Sequence, residues 1–154
     1  MKVFIEGVGL IAPGMSSWDA GSAVLRGDAS YEPSPLPKLP ASQLPPAERR
    51  SATTVTRLAV EVAAQAISEV YQAAELATFF ASSGGEVEVI DRIFTELATA
   101  ERQISPTVFH NSVHNAASGY WSIATGSRQA SMSLSAFDDT FGAALLEAAI
   151  QASV

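Results

Sequence analysis

Residues 131–148 form the stretch that decides the fold, and their sequence is SMSLSAFDDTFGAALLEA. Residues 131–135 predict a short β-strand, and residues 138–153 predict a final helix with apolar side chains available for burial. Asp138 and Asp139 stand near the start of that helix, where carboxylates are favoured by N-capping and by the helix dipole. The sequence therefore predicts a strand, a sharp turn and a helix in direct succession.

Two further strands are predicted upstream of this stretch. Residues 3–8 predict a buried first strand that ends in a glycine-rich turn, and residues 76–81 predict a second buried strand. Strands alternate with helices and no hairpin signal is present. This alternation predicts an α/β fold in which helices pack on a small, mostly parallel sheet.

The remaining helices are predicted from apolar spacing and terminal signals. A helix of about 25 residues is predicted to begin at Pro46, because proline suits a first helical turn and apolar side chains then repeat at four-residue spacing. That stripe consists of Leu58, Val62, Ala66 and Val70. Shorter helices are predicted over residues 18–25, 86–100 and 115–124.

Composition limits the class of protein. The 154 residues suit one domain, and 47% of them are hydrophobic, which is enough for a core. Residues 32–46 hold six of the eight prolines, which predicts an extended surface segment. The net charge is −7 with 9 scattered basic residues, which argues against nucleic-acid binding. No apolar run reaches membrane-spanning length, and a cytoplasmic protein is expected.

The chain has no cysteine, which excludes disulfides, thiolate metal sites and a cysteine nucleophile. Both histidines lie within residues 107–126, TVFHNSVHNAASGYWSIATG. His110 and His114 are four residues apart, a spacing that suits zinc, but the flanking sequence offers no further ligands and no metal is predicted. The favoured interpretation is structural: Asn111, His114 and Asn115 hydrogen-bond backbone groups in a buried turn. No cofactor is predicted.

Three segments in order resemble the N-terminal half of β-ketoacyl synthases. They are residues 3–14 (VFIEGVGLIAPG), residues 109–126 (FHNSVHNAASGYWSIATG) and the strand, turn and helix of residues 132–148. Within the second segment the resemblance is carried by Asn111, Ala116, Gly119, Ser122, Ile123 and Gly126. The chain is most similar to compact ketosynthase-like N-terminal domains, which include chain-length-factor-type subunits, as in aryl polyene pathways. The resemblance implies one thiolase-like half, incomplete relative to a full ketosynthase.

The resemblance also implies where chemistry is missing. Active family members place a nucleophilic cysteine at the turn between strand and helix, and two assisting histidines in the second half of the fold. Here the Ala136-Phe137 pair stands about where Ala-Cys stands, while Ser135 or Asp138 is the counterpart if the register slips. Phe137 is then a plug at the end of an acyl tunnel or an ordinary core residue. Tyr120 and Trp121 line an acyl channel or a subunit contact, or simply pack in the core.

The implied function is that of a non-condensing partner of an active ketosynthase, in fatty-acid or polyketide synthesis. Whether the chain is itself an enzyme stays open. Family members dimerise through the strand before the turn, so a homodimer or a heterodimer with a ketosynthase through residues 131–135 is expected, with acyl carrier protein as a further partner. Two alternatives remain: an acyltransferase or hydrolase that uses Ser135 with His114 as its base, or a fragment of a longer β-ketoacyl synthase.

Overall fold

The computed structural model describes residues 2–67 and 72–153. Within these residues the chain forms seven α-helices and one two-stranded sheet. The helices are α1 (Trp18–Arg26), α2 (Pro46–Ser51), α3 (Thr54–Ala66), α4 (Val87–Leu97), α5 (Pro106–His110), α6 (Ala116–Thr125) and α7 (Thr140–Ala152). The strands are β1 (Thr78–Ala81) and β2 (Ser131–Leu134), and single 3₁₀ turns lie at Ala73–Glu75 and Phe137–Asp139.

The sheet is parallel, and its register pairs Thr78 with Ser131 and Ala81 with Leu134. Three helices separate the two strands in sequence, and α6 packs on both strands while α7 packs on β1. The predicted α/β fold is thus confirmed. Because the strands are parallel, their carboxyl ends lie at one edge, where the Ser82 amide donates to the Leu134 carbonyl at 3.2 Å.

The strand predicted over residues 3–8 is wrong, since these residues join no sheet in the described chain. The segment lies along α3 instead. A Cβ at Gly7 or Gly9 would come within 2.0 or 2.1 Å of an α3 carbonyl oxygen, and the Leu10 amide donates to Gln65 Oε1 at 3.2 Å. Glycine is therefore needed at both positions for this close backbone approach.

The long helix predicted from Pro46 is divided into α2 and α3. Ala52 takes an extended conformation with ψ of 132°, which ends α2. Thr53 then caps α3, because its Oγ1 accepts from the Thr56 amide at 3.0 Å. Val70, the last residue of the predicted stripe, lies outside the described residues.

The proline-rich segment is not confined to the surface. Ala41 is 0% and Leu44 is 1% exposed, so the predicted surface location is wrong for these two residues. They pack in the main hydrophobic cluster together with Val60 of α3 and with Tyr120 and Trp121 of α6. The segment therefore supplies part of the core.

Two arginines hold this segment against the helices. Arg49 Nη2 donates to the carbonyl oxygens of Ser42 at 3.0 Å and Leu44 at 2.8 Å. Arg57 donates to the carbonyls of Leu39, Ala52 and Arg49 through its three nitrogens. Charged donors satisfy main-chain carbonyls that no helix or sheet pairs.

Candidate functional site: the turn between β2 and α7

The turn between β2 and α7 contains a residue in the left-handed region. Phe137 has a φ of 54°, a conformation that costs a side chain with a Cβ about 1–2 kcal/mol. Thr140 holds the turn, because its Oγ1 donates to the Phe137 carbonyl at 2.6 Å and accepts from the Ala136 amide at 3.0 Å. Strain of this kind is stored where surrounding structure fixes it, and such positions cluster at functional sites.

Phe137 differs from the other two candidates at this turn in its backbone conformation. All three side chains are exposed, that of Phe137 by 80%. Positive φ values on non-glycine residues occur in the described chain at Ala41, Arg102 and Phe137, so neither Ser135 nor Asp138 has one. Phe137 therefore occupies the apex of the turn.

The aspartates do not cap α7 as predicted. Asp139 directly precedes α7, but its side chain makes no capping hydrogen bond. The Thr140 hydroxyl fixes the entry to the helix instead. The helix dipole still favours both carboxylates at this end.

Ser135 lacks the neighbours that a nucleophile needs. Its hydroxyl has no hydrogen bond to a histidine or a carboxylate within residues 2–67 and 72–153. His114, the proposed base, lies beside Gly85, where a Cβ would be 3.8 Å from His114 Nδ1. Serine catalysis requires the base within hydrogen-bond reach of the hydroxyl, and no hydrogen bond joins this pair in the described residues.

The stretch that holds both histidines has one buried polar anchor. Asn111 is 2% exposed, and its Nδ2 donates to the carbonyls of Ser51 at 3.0 Å and Thr107 at 2.9 Å, which ties α5 to the end of α2. His114 and Asn115 are exposed. The predicted buried, hydrogen-bonding role therefore fits Asn111 and is wrong for the other two residues.

Tyr120 and Trp121 are core residues, 4% and 3% exposed. Burial raises the pKa of Tyr120 above its ordinary 10.0, and nearby Glu48 and Glu86 raise it further, while the Asn111 side chain opposes this by lowering it. The Asn111 Oδ1 has no hydrogen-bond partner in the described chain. The His110 ring meets Tyr120 edge-on, with centroids 6.3 Å apart.

Two clefts flank α6. The larger, about 690 Å³, lies between α2, α5 and α6 and contains Glu48, His110 and Tyr120. The smaller, about 330 Å³, lies at the carboxyl end of β1, and its lining includes the polar residues Ser82, Glu86 and His114. Glu86 is 8% exposed and accepts from the hydroxyls of Thr53 at 2.6 Å and Thr56 at 3.0 Å. Both clefts combine apolar walls with a few polar groups, which is the usual make-up of ligand sites.

Sequence reasoning did not identify Thr140 or the polar residues of these clefts. Thr140 follows two aspartates that are stronger capping residues by composition, so no local signal favoured it. Glu86 and His114 line the same cleft although they are 28 positions apart in sequence, a separation that conceals their proximity. No group of three His, Asp or Glu side chains in residues 2–67 and 72–153 is arranged to hold a metal ion, and no helix of this part of the chain is long and apolar enough to cross a membrane.

Comparison with known proteins places this geometry in a family. The family model described as beta-ketoacyl synthase, N-terminal domain, matches residues 18–153. A chain in the solved complex of the ketosynthase ApeO with its chain length factor ApeC, from Xenorhabdus doucetiae, superimposes with a TM-score of 0.79 at 30% identity. The match covers 99% of the present chain but 63% of that chain's length. No curated protein matches. The chain belongs to the β-ketoacyl synthase N-terminal domain family.

Proposed function

We propose that this chain is a non-condensing ketosynthase-like subunit that pairs with an active ketosynthase in the cytoplasm and sets the length of its product. The pathway is fatty-acid or polyketide synthesis, with an aryl polyene pathway as the specific proposal. The observation that carries the proposal is Phe137 at the apex of the strand-to-helix turn, in a chain with no cysteine. A condensing enzyme holds its acyl group on a nucleophile, and a phenyl ring cannot accept one. The acyl group must then be held by the partner.

The free edge of β2 supports the proposed partnership. Within the described residues β2 pairs on one side only, with β1. The Thr78 amide donates to the Ala130 carbonyl at 3.0 Å and the Ser82 amide to the Leu134 carbonyl at 3.2 Å. Because successive residues of a strand present their backbone groups to opposite sides, the amides of Ser131 and Ser133 face the free edge. Such an edge invites pairing with another chain.

The side chains around the turn suit a role in shaping a shared acyl tunnel. Phe137 is 80% exposed, so its ring is available to close the end of a tunnel that the partner contributes. Phe141, the first apolar residue of α7 after the turn, is 78% exposed on the same helix end. Aromatic side chains bury large areas at interfaces. We propose that Phe137 limits chain length and that acyl carrier protein delivers substrate to the assembled pair.

The partnership is tested by co-expression with a ketosynthase from the same genome, followed by size-exclusion chromatography. Ser133→Pro removes an amide from the free edge but leaves the β1 pairing, so it should abolish the complex while the far-ultraviolet circular dichroism stays unchanged. Ser133→Ala keeps the amide and should retain the complex. A chain that never associates with a ketosynthase, or a stable homodimer that excludes one, would show the proposed partnership to be wrong.

The tunnel role is tested on the reconstituted pair by mass spectrometry of its products. Phe137→Ala should lengthen the products, because it opens the end of the tunnel, and Phe137→Trp should shorten them. Phe4→Ala serves as the matched control, because Phe4 is an exposed aromatic residue, 74% accessible, in the N-terminal segment along α3. An unchanged product distribution in both Phe137 variants would refute this role.

A further inference from the structure

A polar cleft bounded by the end of α2 and by α3, α4 and α5 concentrates positive charge in an acidic protein. It has a volume of about 330 Å³, and Arg50, Arg57 and Arg92 line it. The chain has 9 basic residues against 16 acidic ones, so a third of its basic side chains meet here. We infer that this cleft binds the phosphate group of a small molecule, an inference that stands independently of the proposed function.

Two of these arginines have donors to offer. Arg50 and Arg92 are exposed, and neither forms an ion pair within residues 2–67 and 72–153, where the pair found is Arg26 with Asp28. Arg57 is occupied, since each of its nitrogens donates to a main-chain carbonyl, and it contributes its charge. Guanidinium groups bind phosphate through paired, charge-assisted hydrogen bonds.

The cleft holds one opposing charge. Glu88 also lines it and stands four residues before Arg92 in α4, a spacing at which a carboxylate and a guanidinium attract each other. The two side chains are nevertheless not paired in the structure. Glu86, whose carboxylate accepts from the hydroxyl of the cleft residue Thr53, is a second negative charge beside the cleft. Three positive charges therefore face two negative ones, which leaves a net positive charge.

The start of α3 and a buried amide add to this environment. Thr53 and Thr54, at the N-terminus of the 13-residue helix α3, line the cleft. Helix N-termini favour anions, and here the Glu86 carboxylate already accepts from the Thr53 hydroxyl at 2.6 Å. Asn111 lines it as well, at 2% exposure, and its Oδ1 has no partner in hydrogen-bonding geometry in the described part of the chain. Buried polar atoms are normally paired, and this oxygen is itself enclosed, so the amide adds polarity to the wall of the cleft but no exposed acceptor.

The size of the cleft favours a small ligand. A volume of about 330 Å³ holds a phosphate and a short organic group, near the lower end of ligand pockets. Two sources share this chemistry: free phosphate and a phosphate monoester. The cleft is too small to seat a folded partner, so the phosphate group itself is the proposed determinant.

Isothermal titration with inorganic phosphate and, separately, with glycerol 3-phosphate tests the inference. Sodium chloride keeps the ionic strength constant, because bulk screening alone weakens charge attraction. We expect saturable one-site binding of at least one probe. Arg50→Gln and Arg92→Gln should each weaken it about tenfold or more, the effect of losing a charged hydrogen bond. Glu88→Gln should tighten it several-fold.

Arg128→Gln is the matched control, since Arg128 is an exposed arginine outside the cleft. This variant should bind each probe with the same affinity as the unaltered protein. Tighter binding of glycerol 3-phosphate would identify a monoester as the ligand class, and equal binding would identify free phosphate; either supports the site. Absence of saturable binding for both probes would overturn the inference. So would an equal loss in Arg128→Gln, or unchanged binding in both cleft variants with their circular dichroism spectra intact.

Discussion

The left-handed backbone of Phe137 makes a quantitative prediction about stability. Its φ is 54°, which strains any residue with a Cβ by about 1–2 kcal/mol. Phe137→Ala keeps the Cβ and the strain, and it loses little burial because the ring is 80% exposed. Phe137→Gly removes the strain but makes the unfolded chain more disordered, at a cost of about 0.5–1 kcal/mol. The glycine variant should therefore be more stable than the alanine variant by about 0.5–1 kcal/mol.

A position five residues further on provides the opposite case. Gly142 lies inside α7, and a Cβ there would meet nothing within 4 Å. Alanine is favoured over glycine in a helix interior by about 1 kcal/mol, so Gly142→Ala should stabilise the chain. The preference between the same two residues should thus invert between positions 137 and 142.

Urea unfolding followed by circular dichroism at 25 °C gives the free energy of unfolding for each variant. A difference of 1 kcal/mol also corresponds to a shift of a few degrees in Tm for a chain of this size. If Phe137→Ala proves as stable as Phe137→Gly or more stable, while Gly142→Ala behaves as expected, the strained turn is absent in solution.

Three further predictions concern residues that the fold buries or ties. Arg57→Lys should lower the free energy of unfolding by about 2 kcal/mol, because one ammonium group cannot replace donors to three separate carbonyls. Arg26→Lys, at an exposed ion pair, should change the free energy of unfolding by less than about 0.5 kcal/mol. Equal effects of the two substitutions in urea unfolding would contradict the assigned role of Arg57. Asn111→Ala should cost about 1–3 kcal/mol, because it removes the buried Asn111 amide that donates to the Ser51 and Thr107 carbonyls. Asn115→Ala, at an exposed position, should be nearly neutral, and the opposite order in the same assay would contradict the assigned role of Asn111. Because the pKa of Tyr120 is raised in the folded state, this tyrosine ionises at a lower pH in the unfolded chain. Its contribution to stability is therefore complete below pH 10.0 and is lost as the pH rises through the folded-state pKa. Urea unfolding across this pH range should show that Tyr120→Phe loses less stability than the unaltered protein, and parallel curves of stability against pH would contradict the raised pKa.

Helix limits were predictable where capping residues fix them locally. The predicted helix at residues 18–25 matches α1 because the Ser17 side chain accepts from the Ala20 amide at 3.3 Å and Gly27 ends the helix with a φ of 80°. These signals act within a few residues. The sheet was partly predictable for the same reason, since β1 is a short, mostly apolar run and β2 alternates polar and apolar residues, each next to a turn.

Features that depend on distant partners were not predictable from local pattern. Residues 3–8 have strand-like composition, but a strand forms only against a partner, and α3 accepts this segment instead. The burial of Ala41 and Leu44 depends on arginines in α2 and α3, whose carbonyl contacts leave no periodic signal. At the candidate site, the resemblance to β-ketoacyl synthases located the turn between strand and helix. The positive φ of Phe137 could not be predicted, because phenylalanine rarely adopts this conformation.

The way Arg49 and Arg57 hold the proline-rich segment has a consequence for how this region tolerates sequence change. Both guanidinium groups donate hydrogen bonds to main-chain oxygens, which every amino acid supplies. Substitutions at Leu39 or Ser42 should therefore leave the path of the chain intact. Ala41 and Leu44 are exceptions, because both are enclosed in the core and Ala41 has a φ of 45°. Related sequences should therefore vary along the rest of this segment while keeping the two arginines, a small residue at position 41 and an apolar residue at position 44.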